Sequence, residues 1–175
     1  PFPIRFGFPD IRAVLHHPHD GTPRPRVCRS DQLESICNWL GFNSEGLMPI
    51  YRRLHALSRA PIPVIANRGK NKEATIEETT DHYTKMIILL FSNVVGFEIN
   101  PSSPNTPGLR DLLNREVLRE LLIQVLDAAQ TQNRIYDPSP NRVIGVKGSP
   151  DETDEGLQDL IDLAVELEID FLTLT

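Results

Sequence analysis

The fold is easiest to read between Val143 and Leu174, where the chain runs VIGVKGSPDETDEGLQDLIDLAVELEIDFLTL. The apolar, β-branched start of this segment predicts a strand over Val143–Val146. Apolar residues then recur at helical spacing, at Leu157, Leu160, Ile161, Ala164 and Leu167. The run Ile169–Leu174 predicts a second strand. A strand, a helix and a strand in this order are typical of a parallel βαβ unit.

Similar units precede this one, beginning at Pro61. Short apolar runs predict strands at Ile62–Ala66 and Val94–Ile99. The intervening helices are marked by Ile76, Thr79, Tyr83, Met86, Ile87 and Leu90, and by Val117, Leu118, Leu121, Leu122, Val125, Leu126 and Ala129. The alternating region therefore reads βαβαβαβ, which predicts an α/β protein with a parallel sheet.

Two architectures fit this alternation: an open doubly wound sheet and part of a (β/α)8 barrel. A complete barrel takes about 250 residues, and the alternating part of this chain supplies roughly half of that. Thr175 directly follows a predicted strand that still lacks the helix needed to cover it. The sequence therefore favours a truncated chain, with residues 1–175 forming part of one barrel domain.

The N-terminal part does not alternate in this way. Prolines interrupt the first thirty residues and predict irregular structure, in which His16, His17 and His19 occupy a solvated loop without a metal. Two short helices are expected next, the first carrying Leu33, Ile36, Cys37 and Leu40, and the second carrying Leu47, Ile50, Tyr51, Leu54 and Leu57. Cys28 and Cys37 are the only cysteines and are expected to be free thiols.

Composition and motifs exclude several classes of protein. With 18 Lys+Arg against 24 Asp+Glu, the net charge of −6 argues against a general nucleic-acid binder. No apolar run approaches the roughly 18 residues of a membrane-spanning helix. Neither the P-loop nor the GxGxxG fingerprint occurs, so a nicotinamide site of the Rossmann type is not expected.

Polar residues follow three of the predicted strands. Asn67 follows the first, Asn100 the second and Lys147 the third. Both candidate architectures bind ligands at the carboxyl ends of their strands, so these side chains are expected to surround one site. The loop Asn100–Gly108 is stiffened by prolines and presents amides and hydroxyls there, although such residues are also ordinary loop formers.

The run from Asn100 to Leu112, NPSSPNTPGLRDL, closely resembles the NxSSPNTxGLRxL signature of class 2, quinone-linked dihydroorotate dehydrogenases. Other segments resemble motifs of the same family in the same order, namely PRPRV at 23–27, GFNSEGL at 41–47, NRGKNK at 67–72 and VIGVKGSPD at 143–151. The resemblance covers about residues 5–175, and five motifs in register make it specific.

This resemblance implies a (β/α)8 barrel that holds FMN and oxidises dihydroorotate to orotate in the de novo synthesis of pyrimidines (UMP). It also implies quinone as the electron acceptor. Eukaryotic members lie on the mitochondrial inner membrane through an N-terminal helical part that this sequence lacks, and bacterial members are membrane-associated. The implied partners are therefore dihydroorotate, orotate and quinone, peripheral association with a membrane is expected through the absent region, and nucleic acid is not expected.

The resemblance also implies roles for individual residues. Ser103 matches the general base that takes the C5 proton of dihydroorotate, and Thr106 and Phe42 match the residues that flank it. The substrate-binding amides of the family match Asn38, Asn100 and Asn105. Its flavin contacts match Asn67, Asn100 and Lys147. Lys147 is expected near the N1 edge of the flavin, where a cation stabilises the reduced ring.

Some positions depart from the family pattern. Arg12 stands where the family backbone approaches the ligand, and Arg68 stands where the family is apolar. Segments of the family that precede Pro1 and follow Thr175 are missing, so we expect that the chain alone does not turn over dihydroorotate. The alternative function is that of a truncated or divergent inactive relative without flavin, acting at most as a binding module. An unrelated open α/β sheet is the third interpretation.

Overall fold

The computed structural model describes residues 7–57, 62–102, 114–136, 141–149 and 151–174. The strands are β1 (Asp10–Val14), β2 (Val27–Ser30), β3 (Ser35–Asn38), β4 (Ile65–Arg68), β5 (Gly96–Ile99), β6 (Val143–Gly148) and β7 (Phe171–Leu174). The helices are α1 (Leu47–Ala56), α2 (Ile76–Leu90), α3 (Arg115–Ile135) and α4 (Asp154–Glu166). Strands β1, β4, β5, β6 and β7 form a parallel sheet in that order. The predicted α/β class is confirmed, and within the described residues the sheet does not close into a barrel.

The prediction of irregular structure over the first thirty residues is wrong for Val27–Ser30, which forms β2, and for Asp10–Val14, which forms β1. This strand adds a fifth member to the parallel sheet, because Asp10 and Ile11 pair with Ile65 and Ala66 of β4. The N–H of Ile65 also donates to the carbonyl of Pro9 at 3.0 Å. Pro9 therefore precedes the strand without interrupting it, and the apolar run that begins at Ile11 is free to pair.

The helix predicted around Leu33 and Ile36 is also wrong, because β2 and β3 form an antiparallel hairpin there. Leu33 is 77% exposed and Ile36 is 67% exposed, so the apolar face of the predicted helix would have had no core to pack against. A short helix without such packing is unstable in water. Cys28 and Cys37 lie opposite each other in the hairpin as exposed, free thiols, as expected.

The remaining helices agree with the sequence pattern, and local caps begin three of them. Thr75 and Glu78 form a reciprocal capping box at α2, while the side chains of Asn114 and Thr153 cap α3 and α4. All four predicted strands differ from the observed ones at one or both ends, and β5 and β7 each begin two residues later than predicted. β4 covers Ile65–Arg68 and β6 extends to Gly148, so Asn67 and Lys147 lie inside strands and not after them.

The two faces of the sheet have opposite character, because successive side chains of a strand point to opposite sides. One face packs against the helices and supplies the apolar core. Its members include Val14, Ala66, Phe97, Ile99, Ile144 and Val146 from the strands, with Met86, Leu90, Leu121, Leu122, Val125 and Leu163 from the helices. The other face carries the polar side chains considered next. No helix in the described ranges has the length and apolarity required to span a membrane.

Candidate functional site

A row of hydrogen-bonded polar side chains crosses the sheet near the carboxyl ends of β4, β5 and β7 and reaches Asp10 at the start of β1. The amide nitrogen of Asn67 in β4 donates to the carboxylate of Asp10 at 3.1 Å and to that of Glu98 in β5. The amide oxygen of Asn67 accepts from Asn100 at 3.2 Å. The Thr173 hydroxyl of β7 donates to the second carboxylate oxygen of Glu98. Asn67, Glu98 and Asn100 are buried, so this row is a fixed part of the fold.

Asn100 also anchors the loop that carries the family signature. Its backbone N–H donates to the carbonyl of Arg68 at 2.9 Å, and its side-chain oxygen accepts from the N–H and hydroxyl of Ser102 at 3.3 and 3.1 Å. Both Asn100 and Ser102 are buried. The predicted site residues Ser103, Asn105 and Thr106 follow directly and lie outside the described residues. Of this signature segment, the structure therefore describes residues 100–102.

Lys147 and Phe42 are brought to the same end of the sheet. Lys147 is half-buried in β6 and lies in register with Thr173 of β7. Phe42 has a positive φ of 53°, and its ring packs on Gly69, directly after β4. A Cβ atom on Gly69 would lie 2.8 Å from that ring, so only glycine allows this close approach.

Asn38 is placed differently from the other predicted site residues. It lies at the end of β3 and is exposed, and its backbone pairs with that of Val27 in the hairpin. Within the described residues, no hydrogen bond joins its side chain to Asn67, Asn100 or Lys147. The structure thus groups Asn67 and Asn100 directly, brings Lys147 and Phe42 to the same end, and leaves Asn38 in the separate two-stranded sheet.

Glu98 is the polar residue that sequence reasoning missed. It bridges two strands, β4 and β7, through Asn67 and Thr173. The available signal was a charged residue two positions before Asn100 in an otherwise apolar strand. Alternation along a strand places residues two apart on one face, so Glu98 and Asn100 could have been assigned to the same face.

Arg68 lies on the opposite face from Asn67 and does not join the polar row. Its guanidinium is 0% exposed, lies 5.3 Å from the centroid of the Tyr83 ring and donates to the carbonyl of Val14 at 2.6 Å. The Nε and Nη2 atoms have no hydrogen-bond partner among the described residues. Burial lowers the pKa of Arg68 to about 10 and raises that of the Tyr83 hydroxyl. The other unusual arginine, Arg12, has its side chain outside the described part of the structure.

Comparisons with known proteins agree on one family. The family model described as dihydroorotate dehydrogenase matches residues 4–175. A dihydroorotate dehydrogenase (quinone) from Chloroflexus aurantiacus is 37% identical over 163 residues, which are 93% of this chain and 45% of the relative. A dihydroorotate dehydrogenase (quinone), mitochondrial, from Cyclocybe aegerita is 36% identical over 167 residues, which are 95% of this chain and 50% of the relative.

A solved structure gives the same result for the fold. The crystal structure of a ligand-free dihydroorotate dehydrogenase (DHODH) from Eimeria tenella superposes on this chain with a TM-score of 0.84 at 30% sequence identity. The match covers 95% of this chain and 51% of that one. The chain therefore spans about half the length of the curated relatives it matches. Its five-stranded parallel sheet corresponds to about half of the (β/α)8 barrel.

Proposed function

Since the chain belongs to the dihydroorotate dehydrogenase family, we propose that it carries the substrate side, and part of the flavin side, of a quinone-linked dihydroorotate dehydrogenase. One observation carries this proposal: the buried row from Asn67 through Asn100 to Ser102 directly precedes Ser103 in the signature sequence. Asn67 and Asn100 lie near the carboxyl ends of β4 and β5, at the end of the sheet where barrel enzymes bind their substrates.

The proposed reaction removes two hydrogens from neighbouring carbons of dihydroorotate. Ser103 takes the proton from C5, the hydride leaves C6, and a C5=C6 double bond forms to give orotate. Thr106 and Phe42 flank Ser103. Asn100 and Asn105 hold the substrate ring with their side-chain amides, and for Asn100 the N–H that is not bonded to Asn67 is the group offered. Asn38 joins them only if the β2–β3 hairpin brings it to the same end of the sheet.

FMN would supply the hydride acceptor in this reaction, with its electrons passing on to a quinone. The donor chemistry of the sheet face fits such a group, because Lys147 presents an ammonium and Asn100 an amide beside the strand ends. Asn67 differs, since its amide nitrogen already donates to Asp10 and Glu98. It would have to release one of these carboxylates in order to donate to a flavin ring.

The proposal places the protein in pyrimidine synthesis. It also places the protein at a membrane. Quinones are membrane-dissolved, which favours peripheral association through a region outside the described residues. The relative from Cyclocybe aegerita is named mitochondrial, which supports the mitochondrial inner membrane for a eukaryotic source. Bacterial relatives also match, and for a bacterial source the proposal is association with the cell membrane.

Binding of the product tests this proposal without requiring turnover. The chain is saturated with FMN, and the affinity for orotate is measured by isothermal titration calorimetry. We expect saturable binding that Asn100→Asp weakens at least about tenfold, because the substitution removes an amide donor and brings a carboxylate toward the orotate anion.

Asn141→Asp is the matched control. Asn141 is exposed and precedes β6, so it lies at the amino ends of the strands, whereas Asn100 lies at the carboxyl ends. This variant is expected to bind orotate as the unaltered chain does. Failure of the FMN-loaded chain to bind orotate would contradict the proposal and favour an inactive relative that has lost the substrate site. If the Asn100 and Asn141 variants bound orotate with equal affinity, Asn100 would not be part of the substrate site.

A further inference from the structure

Three histidine rings meet beside α2, away from the polar row. His16 and His17 follow β1, and His82 lies on α2. The ring centroids of His16 and His82 are 4.2 Å apart, those of His16 and His17 are 4.6 Å apart, and those of His17 and His82 are 5.3 Å apart. One ring nitrogen from each histidine lies within 4.8 Å of the other two. The prediction of a solvated loop is therefore wrong for His16, which stacks on His82.

Hydrogen bonds fix the backbone that carries His16 and His17. The side chain of Asn71 donates to the carbonyl of His17 and accepts from its N–H, both at 3.1 Å. The carbonyl of His16 accepts from the N–H of Leu47 at 3.3 Å. His16 and His17 thus approach His82 from a backbone that is fixed by hydrogen bonds. This lowers the conformational entropy that the protein loses when a ligand binds.

Two of the ring nitrogens are buried polar atoms. The Nδ1 atoms of His16 and His82 are buried and have no hydrogen-bond partner among the described residues. The His82 side chain is 8% exposed. A buried polar atom without a partner is costly, so such an atom in a folded protein points to a missing ligand.

The surroundings of the rings combine burial with nearby charged groups. Burial, followed by the positive charge of neighbouring groups, lowers the pKa of His16 and lowers that of His82 to about 4. A neutral imidazole keeps the lone pair that ligates a metal, so metal binding displaces any proton from the ligating nitrogen. Arg68 and Lys85 are the cations that face the rings, and the Asp81 carboxylate, 2.6 Å from the Lys85 ammonium, is the facing anion.

We propose that His16, His17 and His82 form a binding site for one divalent transition-metal ion of the Zn²⁺ class. Three imidazoles select Zn²⁺, Co²⁺, Ni²⁺ or Cu²⁺ over Mg²⁺ and Ca²⁺, which prefer oxygen ligands. A tetrahedral zinc ion with Zn–N bonds of about 2.0–2.1 Å brings its nitrogens to about 3.3 Å from one another. The rings must therefore turn out of the His16–His82 stack and close by about 1–1.5 Å.

The fourth ligand position faces solvent. A cleft of about 570 Å³ borders His16 and His17 and is lined further by Leu47, Lys85 and Ile88. Water can reach the ion from this cleft and complete a four-coordinate shell. The proposal does not rest on dihydroorotate dehydrogenase activity, because none of the three histidines belongs to the proposed substrate or flavin residues.

Metal titration of the chelator-treated, dialysed chain tests the site. We expect one Zn²⁺ per chain by calorimetry, and visible d–d absorption of tetrahedral type when Co²⁺ is used as the probe. His82→Asn and His17→Ala are each expected to weaken Zn²⁺ binding at least about tenfold, since loss of even an outer-shell partner costs about 10–100-fold. His17 is exposed, so its variant reports on binding even if replacement of buried His82 disturbs folding.

His55→Asn is the control, because His55 is exposed on α1 and stacks on Tyr51 away from the cluster. Its Zn²⁺ affinity is expected to equal that of the unaltered chain. The proposal is overturned by an absence of saturable Zn²⁺ binding, or by stoichiometric binding that neither His17→Ala nor His82→Asn weakens.

Discussion

Replacing Phe97 by alanine is expected to lower the free energy of unfolding by about 3–5 kcal/mol. Phe97 is 0% exposed and lies in β5, the central strand of the sheet, where it pairs with Ala66 and Ile144. Its ring belongs to the core between the sheet and the helices. Truncation removes the apolar area of the ring and leaves a cavity that the paired strands cannot collapse to fill.

Urea unfolding followed by far-UV circular dichroism measures this loss. Phe8→Ala is the matched control, because Phe8 is 53% exposed and its variant is expected to stay within about 0.5 kcal/mol of the unaltered chain. A loss below about 1 kcal/mol for Phe97→Ala would show that the described sheet does not form the core of the chain in solution.

Arg68→Met is expected to raise the free energy of unfolding by about 1–4 kcal/mol, by analogy with the replacement of buried ion pairs by apolar side chains. The Arg68 guanidinium is fully buried, has the Val14 carbonyl as its hydrogen-bond acceptor and leaves Nε and Nη2 without partners. Methionine fills a similar volume, keeps the contact with the Tyr83 ring and carries no charge to desolvate.

The same unfolding experiment separates charge from volume. Arg52→Met, at an exposed position of α1, is expected to change stability by less than about 0.5 kcal/mol. Arg68→Lys keeps the buried charge and loses the planar contact with Tyr83, so it is expected to be destabilising. A loss of stability in Arg68→Met would mean that the guanidinium contributes more through Val14 and Tyr83 than its burial costs.

The sequence predicts the alternating part of the fold because each element carries its own local signal. α2 has both a helical apolar face and a capping box, and β5 has a run of apolar residues bounded by polar ones. The prediction of a helix in the N-terminal part is wrong for a physical reason. Helical spacing around Leu33 and Ile36 becomes a helix only when a core covers it, and the fold provides none at the hairpin.

The candidate site likewise contains features that the sequence predicts and features that it does not. Asn100 was placed correctly after β5, because its position depends on where the strand ends. The hydrogen bonds of Asn67 depend on Asp10 and Glu98, which lie in other strands, and spacing along the chain does not reveal such pairs. The contact of His16 with His82 joins residues 66 positions apart and is equally invisible in a linear pattern.

Flavin binding by the intact chain tests the central claim, that the strand ends around Asn100 and Lys147 form part of an FMN site. The purified chain is incubated with excess FMN, freed of unbound flavin and denatured, and the released FMN is quantified by fluorescence against protein. We expect about one FMN per chain and at least about tenfold weaker binding in Lys147→Met, because the cation beside the ring is lost. Lys72→Met, at an exposed position, should bind FMN normally. A chain that retains no FMN after incubation with excess would contradict the account and show that the family signature records descent alone.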